Sequence, residues 1–160
     1  MKDNDQYIIS TPLGNIALKA NSSHVTGLRF VEQAVSDKKN NSPIVQQTEK
    51  QIEEYFTGER KQFDLPLNPE GTEFQKRIWS LLLKIPFGST LSYLKLAQLS
   101  GNVRGIRAVA AAVGKNPILI LIPCHRIIGS NGKMIGYAGG IQRKENLLNL
   151  EKVNPQKSLF

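Results

Sequence analysis

The tetrapeptide Pro123-Cys124-His125-Arg126 holds the only cysteine of the chain, with an imidazole beside it. Thiolate is the reactive form of cysteine, and a neighbouring base or cation makes it available near neutral pH. The pair therefore reads as a nucleophile with its base. Neighbours in an extended segment point to opposite sides. Contact between the two, directly or through a water, thus requires the chain to turn at Pro123-Cys124. A triad also needs a carboxylate to hold the imidazole tautomer. Residues 71–160 offer only Glu73, Glu145 and Glu151; Glu151, at the end of the last expected helix, is the choice. Two other readings stay open on these residues alone. One is an inert buried thiol closing the aliphatic run Ile118-Leu119-Ile120-Leu121-Ile122. The other is a cysteine hydrolase, which leaves the charge distribution unexplained.

That distribution is lopsided. Residues 1–70 carry 8 Lys/Arg and 10 Asp/Glu, a net of −2; residues 71–160 carry 13 and 3, a net of +10. A basic half suits a polyanion, most commonly nucleic acid, or a solvated surface kept for solubility. No apolar run approaches a membrane span. The N-terminal Met1-Lys2-Asp3-Asn4-Asp5-Gln6 is polar and acidic, unlike a signal peptide. A single cysteine permits no internal disulfide and fits a reducing compartment. A cytoplasmic protein, or a nuclear one in a nucleated cell, is expected.

The elements that must position the thiol fall into two groups. Tyr7-Ile8-Ile9 and Ile16-Ala17-Leu18 read as strands around the Pro12/Gly14 turn, and residues 25–31 as a third. Ser42-Pro43 fits a helix start, and that helix stops at Gly58. Leu65-Pro66-Leu67-Asn68-Pro69-Glu70-Gly71 is the expected linker, which gives domains of 1–70 and 71–160. Thr72 caps a helix ending before Pro86-Phe87-Gly88. Ser92 caps a short helix, residues 93–99, which Gly101 ends. A longer one follows over 103–113, with Arg104 and Arg107. The pair matches a helix-turn-helix, a pattern also common in α-rich domains that bind no DNA. Asn131-Gly132 signals a hairpin, a wing beside the helix pair. A last helix covers 141–151.

The segment Ile122-Pro123-Cys124-His125-Arg126-Ile127-Ile128, followed by Gly136-Tyr137-Ala138-Gly139-Gly140, Lys144 and Leu147-Leu148-Asn149-Leu150-Glu151, resembles the methylated-DNA–protein-cysteine methyltransferases. These proteins repair guanine alkylated on its exocyclic oxygen. Upstream, Gly71-Thr72-Glu73-Phe74-Gln75, Trp79, Ile85-Pro86-Phe87-Gly88, Ser92-Tyr93, Leu96-Ala97, Arg107-Ala108-Val109 and Gly114-Lys115-Asn116-Pro117 continue the likeness in order. It covers residues 71–151 densely; residues 1–70 match only in their strand-then-helix character.

The resemblance implies an α/β first domain like ribonuclease H, with a small antiparallel sheet plus a helix. It implies a mainly α, winged helix-turn-helix second domain. The partner would be double-stranded DNA containing alkylated guanine, bound in the minor groove, with the damaged nucleotide flipped into the protein. Cys124 would accept the alkyl group, once per molecule. His125 would take the thiol proton through a water, Glu151 would orient His125, and Asn116 would hold the turn before the Cys segment. Tyr93, Ile127, Tyr137, Ala138 and Gly139 would bind the base. Arg107 would fill the vacated space beside Ala108, and Arg104, Lys115 and Lys95 would meet phosphate; Arg126 and Lys144, within the motif, would either contact DNA or form a salt bridge or helix-end pair. Some members have serine at the position of Ala138. Others bind zinc through Cys and His in the first domain. Here that domain has no cysteine and only His24, so no metal and no cofactor are expected. A monomer is expected as well.

Overall fold

The structure is a computed structural model and describes residues 6–101 and 104–152. Two compact units emerge. One holds the described residues up to Glu70 together with Pro117–Leu119; the other holds Gly71–Asn116 and the described residues from Ile120 onward.

The first unit is an antiparallel sheet in the order β1-β2-β3, from β1 (Tyr7–Thr11), β2 (Gly14–Ala20) and β3 (Val25–Phe30). Helix α1 (Pro43–Phe56) packs against all three strands. Ile16, Ala17 and Leu18 are consecutive and all buried. Successive strand residues face opposite sides, so both faces of β2 are covered. The outer edge of β3 is closed rather than left as an unpaired template. Val25 exchanges backbone hydrogen bonds with Pro66 and Asn68, and Leu28 does so with Pro117 and Leu119. That second pairing is why three residues just upstream of the cysteine belong to this unit. From sequence the aliphatic run reads as a single buried segment; its first residues are an edge partner, and the next ones turn away.

The second unit is helical. Helix α2 (Glu73–Leu82) starts with a capping box. The Thr72 side chain accepts from the Gln75 backbone N–H, and the Gln75 side chain accepts from the Thr72 N–H. Two orphan donors of the first turn are thereby satisfied. Helix α3 (Tyr93–Leu99) is capped by Ser92, whose hydroxyl accepts from Lys95 N–H. Helix α4 (Gly105–Gly114) packs on both. Trp79 Nε1 donates to Ala112 O at 2.9 Å and ties α2 to the end of α4. The expected start of α4 at Val103 lies outside the described residues. After α4 come a 3-10 turn (Cys124–Arg126) and helix α5 (Ile141–Leu150).

Around Asn131-Gly132 the turn forms, with Gly132 at φ 82° and Gly129 N–H donating to Lys133 O. No strand pair flanks it. Strand β5 (Ile127–Ile128) instead pairs in parallel with β4 (Leu91–Ser92). The chain beyond Lys133 is drawn to the side chain of Lys144 rather than into a ladder. No helix among the described residues is long and apolar enough to cross a membrane.

Candidate active site

The turn needed to bring thiol and imidazole to one side is present. Cys124 N–H donates to Ile122 O at 2.8 Å, and Asn116 Nδ2 donates to the same carbonyl at 2.8 Å. Asn116 thus pins the residue two before the cysteine to the end of α4. Just upstream, Ile120 has φ 72° and is buried. A β-branched residue in the left-handed region is strained. The surrounding packing holds the chain in a sharp reversal there.

His125 is fully buried, and its Nε2 lies 2.7 Å from Glu151 Oε2. A carboxylate only accepts, so Nε2 carries the hydrogen and neutral Nδ1 is left with a lone pair. Burial lowers the pKa of His125, against the attraction of Glu151, and Arg126 and Lys144 lower it further. The imidazole is therefore a neutral base. Burial alone would raise the Glu151 carboxyl, but His125 and Arg126 outweigh it and hold the group at about 2. Arg126 grips the carboxylate at both oxygens, Nε to Oε1 at 2.8 Å and Nη2 to Oε2 at 3.0 Å. Its Nη1 donates to Ile85 O at 2.7 Å. A buried charge survives only when paired and hydrogen-bonded, and this carboxylate is.

Cys124 is buried, and that pushes its thiol up to about 11; the Asn116 hydrogen bond and the Lys144 charge pull the other way. The resting group is a thiol, so reaction needs a base. Cys124 lines a cavity of about 290 Å³ with Tyr93, Ala110, Val113, Gly136, Tyr137 and Ala138. The wall is mostly apolar. Lys144 is buried beside it and donates from Nζ to Ile135 O at 2.9 Å and Gly136 O at 3.2 Å, fixing one rim. Burial lowers its pKa to about 8, against the opposing pull of Cys124.

Of the expected site residues, Cys124, His125, Glu151 and Asn116 come together, and Tyr93, Tyr137 and Ala138 line the cavity. Gly139 and Ile127 are buried next to it in sequence and do not line it. Arg104, Arg107 and Lys115 are exposed along α4 and its end, with Ala108 half-buried between them. Arg104 stacks on the Phe74 ring at 4.8 Å. Arg126 is a correction to the expected DNA contact. It is 7% exposed and directs its donors to Glu151 and Ile85 O. Lys144 likewise points inward, and its part in the rim was not foreseen. Only its place in the last amphipathic helix hinted that it could be covered. Among the described residues no group of His, Cys, Asp or Glu is arranged to hold a metal ion.

Known proteins resemble this chain over most of its length. Residues 73–153 match the family described as the 6-O-methylguanine DNA methyltransferase DNA-binding domain, and residues 7–69 match the ribonuclease-like domain of the same methyltransferase. The methylated-DNA–protein-cysteine methyltransferase of Methanosarcina barkeri is 43% identical over 152 residues, covering 92% of this chain and 96% of that protein. That of Mycobacterium tuberculosis is 43% identical over 148 residues, covering 90% of each. Among solved structures, the M. tuberculosis O6-methylguanine methyltransferase superposes with a TM-score of 0.81 at 42% identity, covering 92% of both chains. A crystal structure of the M. tuberculosis protein in complex with DNA gives 0.82 at 43%, with the same coverage. With both halves matched in order, the chain belongs to the 6-O-methylguanine DNA methyltransferase family.

Proposed function

We propose that this protein repairs DNA by direct reversal, moving the alkyl group of 6-O-methylguanine in duplex DNA onto Cys124. The observation that carries this reading is a buried thiol lining a largely apolar cavity, next to a neutral imidazole fixed by a buried carboxylate. In the step, Cys124 Sγ bonds to the alkyl carbon as the bond from carbon to the guanine oxygen breaks. The thiol proton passes through a water to His125 Nδ1. Negative charge grows on the leaving oxygen and needs hydrogen-bond donors. The Tyr93 hydroxyl and the Ala138 N–H supply them. The product is a thioether, so each molecule acts once. No metal or cofactor takes part.

Residues 1–70 form a small ribonuclease H-like α/β domain, and residues 71–160 a winged helix-turn-helix domain that does the chemistry. Helix α4 enters the minor groove, Arg107 takes the space of the flipped nucleotide, and Arg104 and Lys115 meet phosphate. The protein works as a monomer in the cytoplasm. Incubation with a duplex containing 6-O-methylguanine, followed by intact-mass measurement, should show one added methyl group that is lost in Cys124→Ser. An unchanged mass with retained DNA binding would sink the reading. Affinity should also fall steeply with salt, through counterion release.

A further inference from the structure

Two buried polar atoms have no protein partner among the described residues: His125 Nδ1 and the Tyr137 hydroxyl. Such orphans are rare, because desolvation is left uncompensated. Both lie at the site. The two rings meet edge to face at 81°, with centroids 6.4 Å apart. Tyr137 also shares the cavity wall with Cys124. Buried waters typically satisfy two to four otherwise unpaired groups of this kind.

We propose that Tyr137 is a positioning residue: its hydroxyl donates to the water that, in the proposed reaction, carries the Cys124 proton to His125 Nδ1, and so fixes that water in place. Hydrogen-bond directions follow from the inventory of donors. With Nε2–H committed to Glu151, Nδ1 only accepts, so the water donates to it. The water oxygen accepts from the thiol and from the Tyr137 O–H. Burial, with the charges of Cys124 and Glu151, raises the Tyr137 hydroxyl well above its ordinary value, while Arg143 opposes this. Tyr137 therefore stays a donor and is not the base. In the step, the thiol proton moves to the water and a water proton moves to Nδ1. The thiol loses one proton, the imidazole gains one, and Tyr137 keeps its own. The charged groups that bear on the relay are Glu151, Arg126, Lys144 and Arg143.

The catalytic consequence rests on the alkyl-transfer reading, but the relay can be tested without DNA. Methyl iodide offers Cys124 the same displacement at carbon, and its reaction can be followed by intact mass across pH. Tyr137→Phe keeps the ring and removes only the hydroxyl. It should slow methylation by about tenfold near neutral pH and displace the pH profile upward. Transfer from a 6-O-methylguanine duplex should slow to match. An unaltered rate and profile would overturn the proposal, as would a loss confined to DNA affinity. If the variant does not fold, a high-resolution crystal structure of the unsubstituted protein decides. One ordered water within hydrogen-bond distance of both atoms supports the relay, and its absence overturns it. Should the unsubstituted protein take methyl from methyl iodide but not from DNA, the repair reading fails while the relay is still judged by the profile.

Discussion

Among the described residues of the first unit the buried polar side chains are Thr48 and Gln51, both neutral and both bonded to nearby backbone. In the second, His125, Arg126, Lys144 and Glu151 are buried within one segment of the chain and the helix that follows. Burying charge is expensive, and apolar replacements of similar shape are often at least as stable. Among its described residues the first unit builds a core without a buried charged side chain. The concentration of such charges in the second fits the chemistry proposed for it.

The sharpest way to break this contrast is to remove one partner from the buried set. Arg126→Met should cost about 3–5 kcal/mol in urea unfolding, because it strands Glu151 in the interior. A value near zero would show that the carboxylate is not held as described. Acid comes next. The folded Glu151 carboxyl sits at about 2 against an ordinary 4.5. Its contribution is full above pH 4.5 and is lost as pH falls towards 2, roughly 3 kcal/mol in all. Urea melts across that window should lose less stability in Glu151→Gln. In the first unit Glu49 is shifted the opposite way, raised by burial and by Glu53, so it cannot produce this loss.

Smaller effects belong to the first unit. Gln51 pairs with the backbone of Asp64 in both directions, at 3.1 and 2.8 Å. Gln51→Ala should cost about 1–3 kcal/mol by leaving those groups unpaired. Transfer per folded molecule should not change, as intact mass would report. Smallest of all is Arg60→Met. The Arg60–Glu54 pair is about a quarter exposed on each side, and denaturation should register less than about 1 kcal/mol.

Local signals were readable from sequence, and long-range ones were not. Thr72 with Gln75 announces the start of α2, and Ser92 that of α3, because a cap acts within one turn. Of the three carboxylates in the basic half, Glu151 is the one at the end of the last helix, and it is the one that meets His125. Arg126 could not be placed this way. Its partners lie 25 and 41 residues away in Glu151 and Ile85, and next to a basic surface an arginine reads equally as a phosphate contact or as half of a salt bridge. The departure of Pro117–Leu119 to the first unit was equally hidden. An aliphatic run carries no period that tells an edge partner from a core segment.

Trp79 carries one more consequence. It is the only tryptophan in the chain, it is 1% exposed, and its indole N–H is bonded to Ala112 O. Its fluorescence is thus a built-in gauge of the second unit, blue-shifted while α2 and α4 stay packed and red-shifted once they part. The described part of the first unit contains Tyr7 and Tyr55 but no indole, so excitation at the red edge of the indole band, where tyrosine barely absorbs, leaves it dark. Emission read beside circular dichroism will therefore tell whether the unit that holds Cys124 melts with the first unit or apart from it. Read before and after incubation with a 6-O-methylguanine duplex, the same signal will show whether the packing of α2 on α4 changes.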